Sequence, residues 1–402
     1  MNKLRISQRV SQVIHSPIRK FLPLVLKAEA KGIEVLKINV GDPDIEPSPK
    51  FWQALKKFPP QNLGYAPSPG IAEHTRAWQK YYTHFGLKLK PENIIPTVGC
   101  AEAMLFSLLV TTDPGDEIIV FEPLYSSYKG FAAVCNIKLV PITLRVDSGF
   151  ALPNEQTIAK KITSRTKAIV VVNPNNPTGT ILTSREITRL INLAVKHHLF
   201  IITDETYREI IFKGRPGSLL QITRARQQMI LVDSASKRFS CPGARIGCLV
   251  SYNPAIMAAA LKLAMVRLSA PTLEQYGLIP LLNNPRAFTR TITREYKKRR
   301  GAVIKGLRQI PGVTCYQPQG AFYLIAKLPV KNTEDFITFL LTSFQDKKQT
   351  ILVTPAEDFY ITEGLGRNEI RIAYVLDTKK LTRAMILLKK GLAEYQTRRQ
   401  SS

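Results

Sequence analysis

The sequence of 402 residues predicts an α/β fold, in which a large domain with a mostly parallel sheet flanked by helices is joined to a smaller α+β domain. Apolar, often β-branched runs recur without polar alternation, which is typical of strands buried on both faces. Helical patterns lie between several of these runs. The chain also exceeds the length that one ordinary compact core fills, so we expect two packed domains.

The strand-like runs of the large domain each end in a polar or glycine-rich corner. In chain order they are NIIPTVG, DEIIVFEP, KAIVVVNPNNPTG, LFIITDETY, MILVDSASK and RIGCLVS. Between them, AEAMLFSLLVTT and SREITRLINLAVKHH have the periodicity of helices. Ligands of such sheets bind at the carboxyl ends of the strands, so the polar corners are the candidate functional positions.

The composition of the chain changes at about residue 286. A long basic helical pattern, RAFTRTITREYKKRRGAVIKGLRQI, is followed by the shorter strand-like pieces AFYLIAKL, QTILVTP and NEIRIAYV. An amphipathic helix around KLTRAMILLKKGLAEY ends the pattern. We therefore expect the large domain to span 50–285 and a small C-terminal domain to span 286–402.

The net charge of +27 comes from 57 basic and 30 acidic residues that are spread along the chain. No zinc finger or other nucleic-acid-binding motif accompanies them, so we expect no specific nucleic-acid partner. The five cysteines form no CxxC pair and lie near no histidine at ligand spacing, which favours a reducing, cytoplasmic location without a metal site. No apolar run approaches the roughly 20 residues that span a bilayer, so no membrane association is expected.

Two of the corners carry side chains suited to a ligand. NPNNPTGT (173–180) follows a buried strand and offers amide side chains, although a plain loop would have the same composition. TDETY (203–207) ends another strand with Asp204, whose carboxylate needs a cationic partner if it is buried. A helix N-cap is the alternative role for Asp204.

Two further corners add an anion site and a lysine. TVGCAEA (97–103) runs from a strand through a glycine into a helix, whose free N–H groups suit a phosphate, although many such turns bind nothing. DSASKRFSCPGARIGC (233–248) places Lys237 and Arg245 among small residues, where a basic surface turn is the alternative. The usual nucleotide-binding, serine-hydrolase and zinc-protease motifs are absent from the sequence.

Together these corners match the needs of pyridoxal 5'-phosphate. Its aldehyde condenses with a lysine amine, and its pyridine nitrogen withdraws electrons only while a carboxylate keeps it protonated. Its phosphate suits a helix start and an arginine.

With these motifs in order, the chain resembles the class I/II aminotransferases of fold type I, and in particular their aspartate aminotransferase-like members. SASK with the later G-x-R, NNPTG, DETY and PQGAFY (318–323) match motifs of the family, within a resemblance that extends from LKINVGDPD (36–44) to GRNEIRIAY (366–374). The resemblance implies a homodimer with shared active sites.

The resemblance implies which residues hold the cofactor ring. Lys237 would form a Schiff base with the aldehyde, and Asp204 would pair with the pyridinium nitrogen. Tyr207 and Asn176 would hydrogen-bond the phenolic oxygen, and Tyr125, in EPLYSSY, would stack on the ring face.

The implied phosphate contacts form a second group. They are Arg245, Ser234, the helix-start amides of Cys100 and Ala101, and Tyr65 from the partner subunit. Cys100 follows Gly99 where relatives often have a small residue or a glycine, but a backbone contact tolerates this difference. Between Lys237 and Gly243 the segment RFSCP replaces the hydrophobic residues of many relatives, which leaves the subfamily open.

For the substrate, the resemblance implies that Arg371 binds the α-carboxylate with help from Asn176 and the backbone at Gly41. The segment 1–49 would belong to the small domain and cover the site. Within it, Arg19 is a candidate for the distal carboxylate of aspartate or glutamate, with a solvated arginine as the alternative.

The reaction expected from the resemblance is a ping-pong transamination between an L-amino acid and a 2-oxo acid. Lys237 would move the α-proton, and aspartate with 2-oxoglutarate is the favoured substrate pair. Another pyridoxal phosphate reaction on the same fold, such as β-elimination or decarboxylation, and a non-catalytic regulator remain as alternatives.

Overall fold

The computed structural model of the protein describes residues 4, 6–13, 19–58 and 63–400. Within them, the helices are α1 (Gln8–Ser11), α2 (Leu22–Ala30), α3 (Pro49–Lys56), α4 (Ala72–Thr83), α5 (Gly99–Thr111), α6 (Ser127–Cys135), α7 (Glu155–Ala159), α8 (Ser184–Lys196), α9 (Ala235–Arg238), α10 (Pro254–Arg267), α11 (Thr272–Asn283), α12 (Pro285–Leu307), α13 (Thr333–Thr342) and α14 (Thr378–Gln400). The strands are β1 (Glu34–Lys37), β2 (Ile94–Val98), β3 (Glu117–Glu122), β4 (Lys138–Thr143), β5 (Thr166–Val172), β6 (Phe200–Asp204), β7 (Met229–Ser234), β8 (Ile246–Val250), β9 (Thr314–Cys315), β10 (Tyr323–Lys327), β11 (Gln349–Leu352), β12 (Thr354–Pro355) and β13 (Glu369–Ala373).

The large sheet has seven strands in the order β2-β8-β7-β6-β5-β3-β4. Only β8 runs against its neighbours in this sheet, and it pairs antiparallel with both β2 and β7. The other six strands therefore run in one direction and end at the same edge. This arrangement brings corners that are far apart in sequence into one place.

The strands of this sheet are buried on both faces, as their uninterrupted apolar runs predict. In β3, Ile119 and Phe121 pack into one apolar cluster, whereas Ile118 and Val120 pack into the cluster on the opposite face. Helices cover both faces, and α8 begins at a capping box in which Thr183 and Glu186 each bind the other's backbone N–H. The predicted α/β class with a mostly parallel sheet is confirmed.

A separate apolar cluster joins the two ends of the chain. It contains Phe21, Val25 and Val35 from the N-terminal segment and side chains of α12, α13 and α14. Nearby, β12-β13-β10-β9 form an antiparallel sheet, and β1 pairs parallel with β11. The proposed domain limits at 49/50 and 285/286 stay a prediction. The segment 1–49 is expected to cover the site, and within it residues 1–3, 5 and 14–18 lie outside the described residues.

No helix in the described part of the chain is both long and apolar enough to cross a membrane.

Candidate active site

A cavity of about 410 Å³ opens at the edge where the six parallel strands end. Such a volume is within the usual range for a site that binds a small ligand. Twelve predicted site residues line it: Arg19, Gly41, Cys100, Ala101, Tyr125, Asn176, Asp204, Tyr207, Ser234, Lys237, Arg245 and Arg371. The parallel topology explains this convergence, because most of these residues directly follow the end of a strand.

Lys237 lies in the single-turn helix α9, directly after β7. Its Nζ donates a hydrogen bond of 2.8 Å to the carbonyl oxygen of Gly41. Burial lowers the pKa of Lys237 to about 8, an effect opposed by Asp42 and reinforced by Arg245 and Arg371. Roughly a tenth of this amine is therefore neutral at pH 7. A nucleophile or a general base acts in this neutral form.

Asp204 is the last residue of β6, and its carboxylate is buried at the cavity wall. It accepts hydrogen bonds from Tyr128 Oη at 2.7 Å and from the backbone N–H of Thr206 at 3.0 Å. Burial raises the pKa of Asp204, and the nearby Asp233 raises it further, while these two hydrogen bonds oppose the rise. Asp204 makes no ion pair with any described residue, and its buried carboxylate therefore suits a cationic ligand.

The turn before α5 and the turn before β8 meet at one end of the cavity. Gly99 has φ of +67°, and a side chain there would place its Cβ 2.8 Å from Nη2 of Arg245. Gly247 is equally constrained, because its Cβ would lie 2.9 Å from the backbone nitrogen of Cys100. These glycines let the Arg245 guanidinium approach the start of α5, where helix N–H groups and a cation together suit a phosphate.

A chain of hydrogen bonds links the polar side chains in the middle of the cavity. The Asn176 side-chain amide donates to Tyr207 Oη at 3.5 Å, and Tyr207 Oη donates to Tyr323 Oη at 3.2 Å. A Cβ at Gly41 would collide with Tyr323 Oη, so glycine is required there for the close approach of this backbone. These hydrogen-bonded side chains present amide and phenol groups to a ligand in the cavity that Lys237 also lines.

Arg371 on β13 is fully buried, although it forms no ion pair with any described residue. Its Nη1 donates to Asn176 Oδ1 at 3.2 Å and its Nη2 donates to the carbonyl oxygen of Asn39 at 2.7 Å, whereas its Nε has no hydrogen-bond partner among the described residues. The guanidinium lies over the rings of Tyr323 and Phe359. A buried guanidinium of this kind at the cavity suits a carboxylate ligand.

Three other predicted residues have different settings. Arg19 is exposed and lines the mouth of the cavity, and Tyr125 lines its wall with its ring 6.0 Å from that of Tyr128. Ser234 caps α9 through a hydrogen bond from the Ser236 backbone N–H, so its hydroxyl is already engaged. Tyr65 does not line the cavity and is 84% exposed.

Sequence reasoning missed Tyr128, Thr206 and Tyr323 as contacts within the site. Tyr128 lies one helical turn after Tyr125 in YSSY, and the hydroxyl of Tyr323 ends the PQGAFY motif. These motifs could have indicated both tyrosines. Their hydrogen-bond partners, however, lie 76 and 116 residues away in sequence, and only the tertiary structure identifies them.

The residues at the cavity fit pyridoxal 5'-phosphate. The buried Asp204 has no cationic partner among the described residues, and a protonated pyridine ring would supply one. The glycines beside Arg245 leave room that suits the phosphate. Lys237, with a lowered pKa, lines the same cavity.

Comparison with known proteins agrees with this geometry. The sequence profile of the family "Aminotransferase class I and II" matches residues 33–386. An aspartate aminotransferase of Pyrococcus horikoshii is 29% identical over 97% of this chain and 98% of its own. Among solved structures, an alanine aminotransferase from Pyrococcus furiosus superposes with a TM-score of 0.88 at 29% identity, covering 97% of this chain and 100% of that chain. The aspartate aminotransferase from Thermus thermophilus with maleate does so with a TM-score of 0.86 at 27% identity and the same coverage.

Proposed function

Because the chain belongs to the class I and II aminotransferases, we propose that it transfers the amino group of aspartate to 2-oxoglutarate. The chain is a pyridoxal-phosphate-dependent enzyme that exchanges an amino group between an amino acid and a 2-oxo acid. The choice of a dicarboxylic substrate pair, the roles of the individual residues and the dimer described below are proposals.

The cofactor, when bound, supplies an aldehyde that takes up the amino group and a protonated ring that withdraws electrons from the substrate's α-carbon. Asp204 would hold the ring nitrogen in its protonated form, and Asn176 and Tyr207 would hydrogen-bond the phenolic oxygen. Arg245 and the first N–H groups of α5, those of Cys100 and Ala101, would bind the phosphate. Ser234, whose hydroxyl also caps α9, would add a further contact to it. Tyr125 would pack on the ring face.

Lys237 is proposed as the proton carrier. Its lowered pKa leaves part of the amine unprotonated near neutral pH, so it can take the α-proton of the bound amino acid. Arg371 holds the α-carboxylate together with Asn176 and the backbone at Gly41, which fixes the α-carbon for that transfer. The observation that carries this assignment is the fully buried Arg371, which has no carboxylate partner among the described residues.

A second arginine supports a second carboxylate on the substrate. Arg19 lines the same cavity as Arg371 and makes no ion pair with another described residue. Arginine side chains at two places on one cavity suit a dicarboxylate, whose two charges they bind separately. The relatives named for aspartate and the structure solved with maleate agree with this substrate class.

A panel of amino donors tests the proposed substrate. Aspartate, alanine and phenylalanine are each supplied with 2-oxoglutarate, and glutamate formation is measured against the loss of each donor. We expect kcat/KM for aspartate to exceed the other two by about tenfold or more, since a site built for a charged group discriminates against substrates that lack it. If alanine or phenylalanine is the better donor, the substrate proposal is wrong while transamination stands. Pyruvate and ammonia released from one substrate would indicate elimination instead.

Arg19→Ala should lower kcat/KM for aspartate by about tenfold and leave that for alanine unchanged, because only aspartate has a distal carboxylate. Steady-state kinetics with both donors measure the ratio. Lys27→Ala, which removes an exposed charge on α2, is the matched control and should change neither value. An unchanged aspartate-to-alanine ratio in the Arg19 variant would exclude Arg19 from substrate recognition.

We also propose a homodimer with shared active sites and a cytoplasmic location, which the five free cysteines fit. Large apolar side chains are exposed on two segments that adjoin α11. The segment with Leu63 and Tyr65 is joined to α11 by a hydrogen bond from Ala66 N–H to Thr272 Oγ1. The exposed Met265, Val266 and Leu268 lie just before that helix. An exposed apolar surface of this kind is typical of a protein interface.

Mixing two inactive proteins tests whether Tyr65 serves the partner's site. Lys237→Ala and Tyr65→Ala chains are dissociated, mixed in equal amounts and reassociated at low cofactor concentration. If Tyr65 reaches across the dimer, each mixed dimer has one site with both native residues, so about a quarter of all sites recover under random pairing. Each protein treated alone is the control. No recovery would place Tyr65 outside the partner's site.

A further inference from the structure

The segment RFSCP follows Lys237 and begins with Arg238, whose side chain lies outside the cavity. Lys237 lines the cavity, whereas Arg238 is fully buried and does not line it. Its Nη1 donates to Asp233 Oδ2 at 3.1 Å, and its Nη2 donates to Asp233 Oδ1 and, at 3.1 Å, to the carbonyl oxygen of Glu205. Arg238 therefore ties the lysine-bearing turn to the residue directly after Asp204.

A second buried arginine completes the connection from the other direction. Arg208 follows Tyr207 directly, and its Nη2 donates to Asp233 Oδ2 at 2.8 Å. Its Nε donates to Glu205 Oε2 at 2.6 Å. Asp233 is thus held by two guanidinium groups, one from the segment after β6 and one from α9.

The rest of this cluster is also buried and hydrogen-bonded. Tyr82 Oη donates to Asp233 Oδ2 at 2.8 Å, and Tyr81 Oη donates to Glu209 Oε2 at 2.7 Å while accepting from both arginines. We call Arg208, Arg238, Asp233, Glu205 and Glu209, with Tyr81 and Tyr82, the buried charge cluster. None of its members lines the cavity.

We propose that Arg238 and Arg208 are positioning residues for transamination. Both bind Asp233, and these bonds fix the turn of Lys237 relative to the segment of Asp204 and Tyr207. The proposal rests on the roles proposed above for Lys237 and Asp204. The buried charge cluster joins the segment that holds the proton carrier, Lys237, to the segment that holds Asp204, the proposed partner of the ring nitrogen. An error in their relative placement of about 1 Å costs a reaction of this type as much as a hundredfold.

The cluster has an electrostatic effect as well. Asp204 is the last residue of β6 and Asp233 the second-last residue of the neighbouring strand β7. Burial raises the pKa of Asp204, and the charge of Asp233 raises it further. The ion pairs of Asp233 with Arg208 and Arg238 offset its negative charge. Loss of one arginine would therefore make the surroundings of the cofactor more negative.

Other charged and titratable groups face the same two residues and stay unchanged in the test. Toward Lys237 these are Asp42 after β1, Arg245 before β8 and Arg371 on β13. Toward Asp204 they are Tyr128 on α6 and Asp233, with the thiol of Cys100 on α5 nearby.

Arg238→Met and Arg238→Lys holoenzymes test the proposal. For Arg238→Met we expect kcat to fall about 10- to 100-fold. The pH midpoint of the absorbance band of lysine-bound cofactor should rise by about one unit, because a positive charge has been removed. Arg238→Lys should recover the midpoint but not kcat, since it keeps the charge and loses the fork that joins Asp233 to Glu205.

Arg299→Met is the matched control. Arg299 is a similarly buried arginine that pairs with Asp44 and Glu295, away from the cavity wall. Its loss should lower Tm while leaving kcat and the midpoint at their wild-type values.

Two results would overturn the proposal. One is an Arg238→Met holoenzyme with a lower Tm but with the wild-type kcat and the wild-type pH midpoint of the absorbance band. If that protein does not fold, Arg238→Lys decides, and a wild-type kcat in it excludes the positioning role. The proposed role of Lys237 is tested separately. It is wrong if the Lys237→Ala protein keeps the absorbance band of lysine-bound cofactor.

Discussion

Lys237→Ala should lose the absorbance band of lysine-bound cofactor and lower kcat by at least about 10⁴-fold, the upper part of the range for a positioned general acid or base. The reason is that Lys237 supplies both the amine that binds the aldehyde and the proton carrier. No second lysine lines the cavity among the described residues. An absorbance scan and a single-turnover assay with aspartate measure the two effects independently.

Lys237→Arg is the matching variant for charge. It keeps a cation at the cavity, but arginine stays protonated and cannot act as a base, so this protein should be as inactive as the alanine variant. Both variants should retain their folded state, which Tm verifies. A band and turnover that persist in Lys237→Ala would contradict the assignment of the catalytic lysine.

Asp204→Asn should lower kcat by about 10²- to 10³-fold, the usual cost of removing one preorganised electrostatic group from an active site. The amide cannot hold a proton on the ring nitrogen, so electron withdrawal from the α-carbon weakens. Asp204→Glu is the control for charge, since it keeps the carboxylate and displaces it. An asparagine variant with wild-type kcat would exclude Asp204 as the partner of the ring nitrogen.

Asp204→Asn should stabilise the cofactor-free protein, although it lowers kcat of the holoenzyme. Burial raises the folded-state pKa of Asp204 above its unfolded value, so the folded state binds the proton more tightly. Its ionisation therefore lowers stability as the pH rises above the unfolded pKa, and the cost is complete above the folded pKa. Asp204→Asn should accordingly raise Tm of the cofactor-free protein at neutral pH and change it less in acid. A lower Tm at neutral pH would show that the lost hydrogen bonds outweigh the charge.

Much of the site could be predicted because its residues directly follow strands that the apolar runs reveal. Asp204 ends β6 and Lys237 follows β7, and parallel strands bring such ends to one edge of the sheet. The glycine of the strand-to-helix turn could also be identified from the sequence. This residue, Gly99, has a positive φ in the structure. Local pattern and parallel topology together therefore predict which residues meet at the cavity.

The directions and partners of side chains could not be predicted in this way. Arg238 and Lys237 are adjacent in a motif that has one expected function, yet one enters the cavity and the other enters the buried charge cluster. Tyr128 binds Asp204 across 76 residues. The Asp204 carboxylate forms no ion pair with any residue that the structure describes, although its burial alone would predict a cationic partner.

By itself, the sequence determined the fold class, the family and the set of residues at the strand ends, because periodicity and motif spacing are local properties that survive without coordinates. Only the tertiary structure decided that Arg371 is buried without a carboxylate partner among the described residues, that Tyr65 lies outside its own cavity, and that Arg238 holds Asp233. These outcomes depend on desolvation and on contacts between distant segments, which are set only when the sheet, the helices and the two ends of the chain pack together.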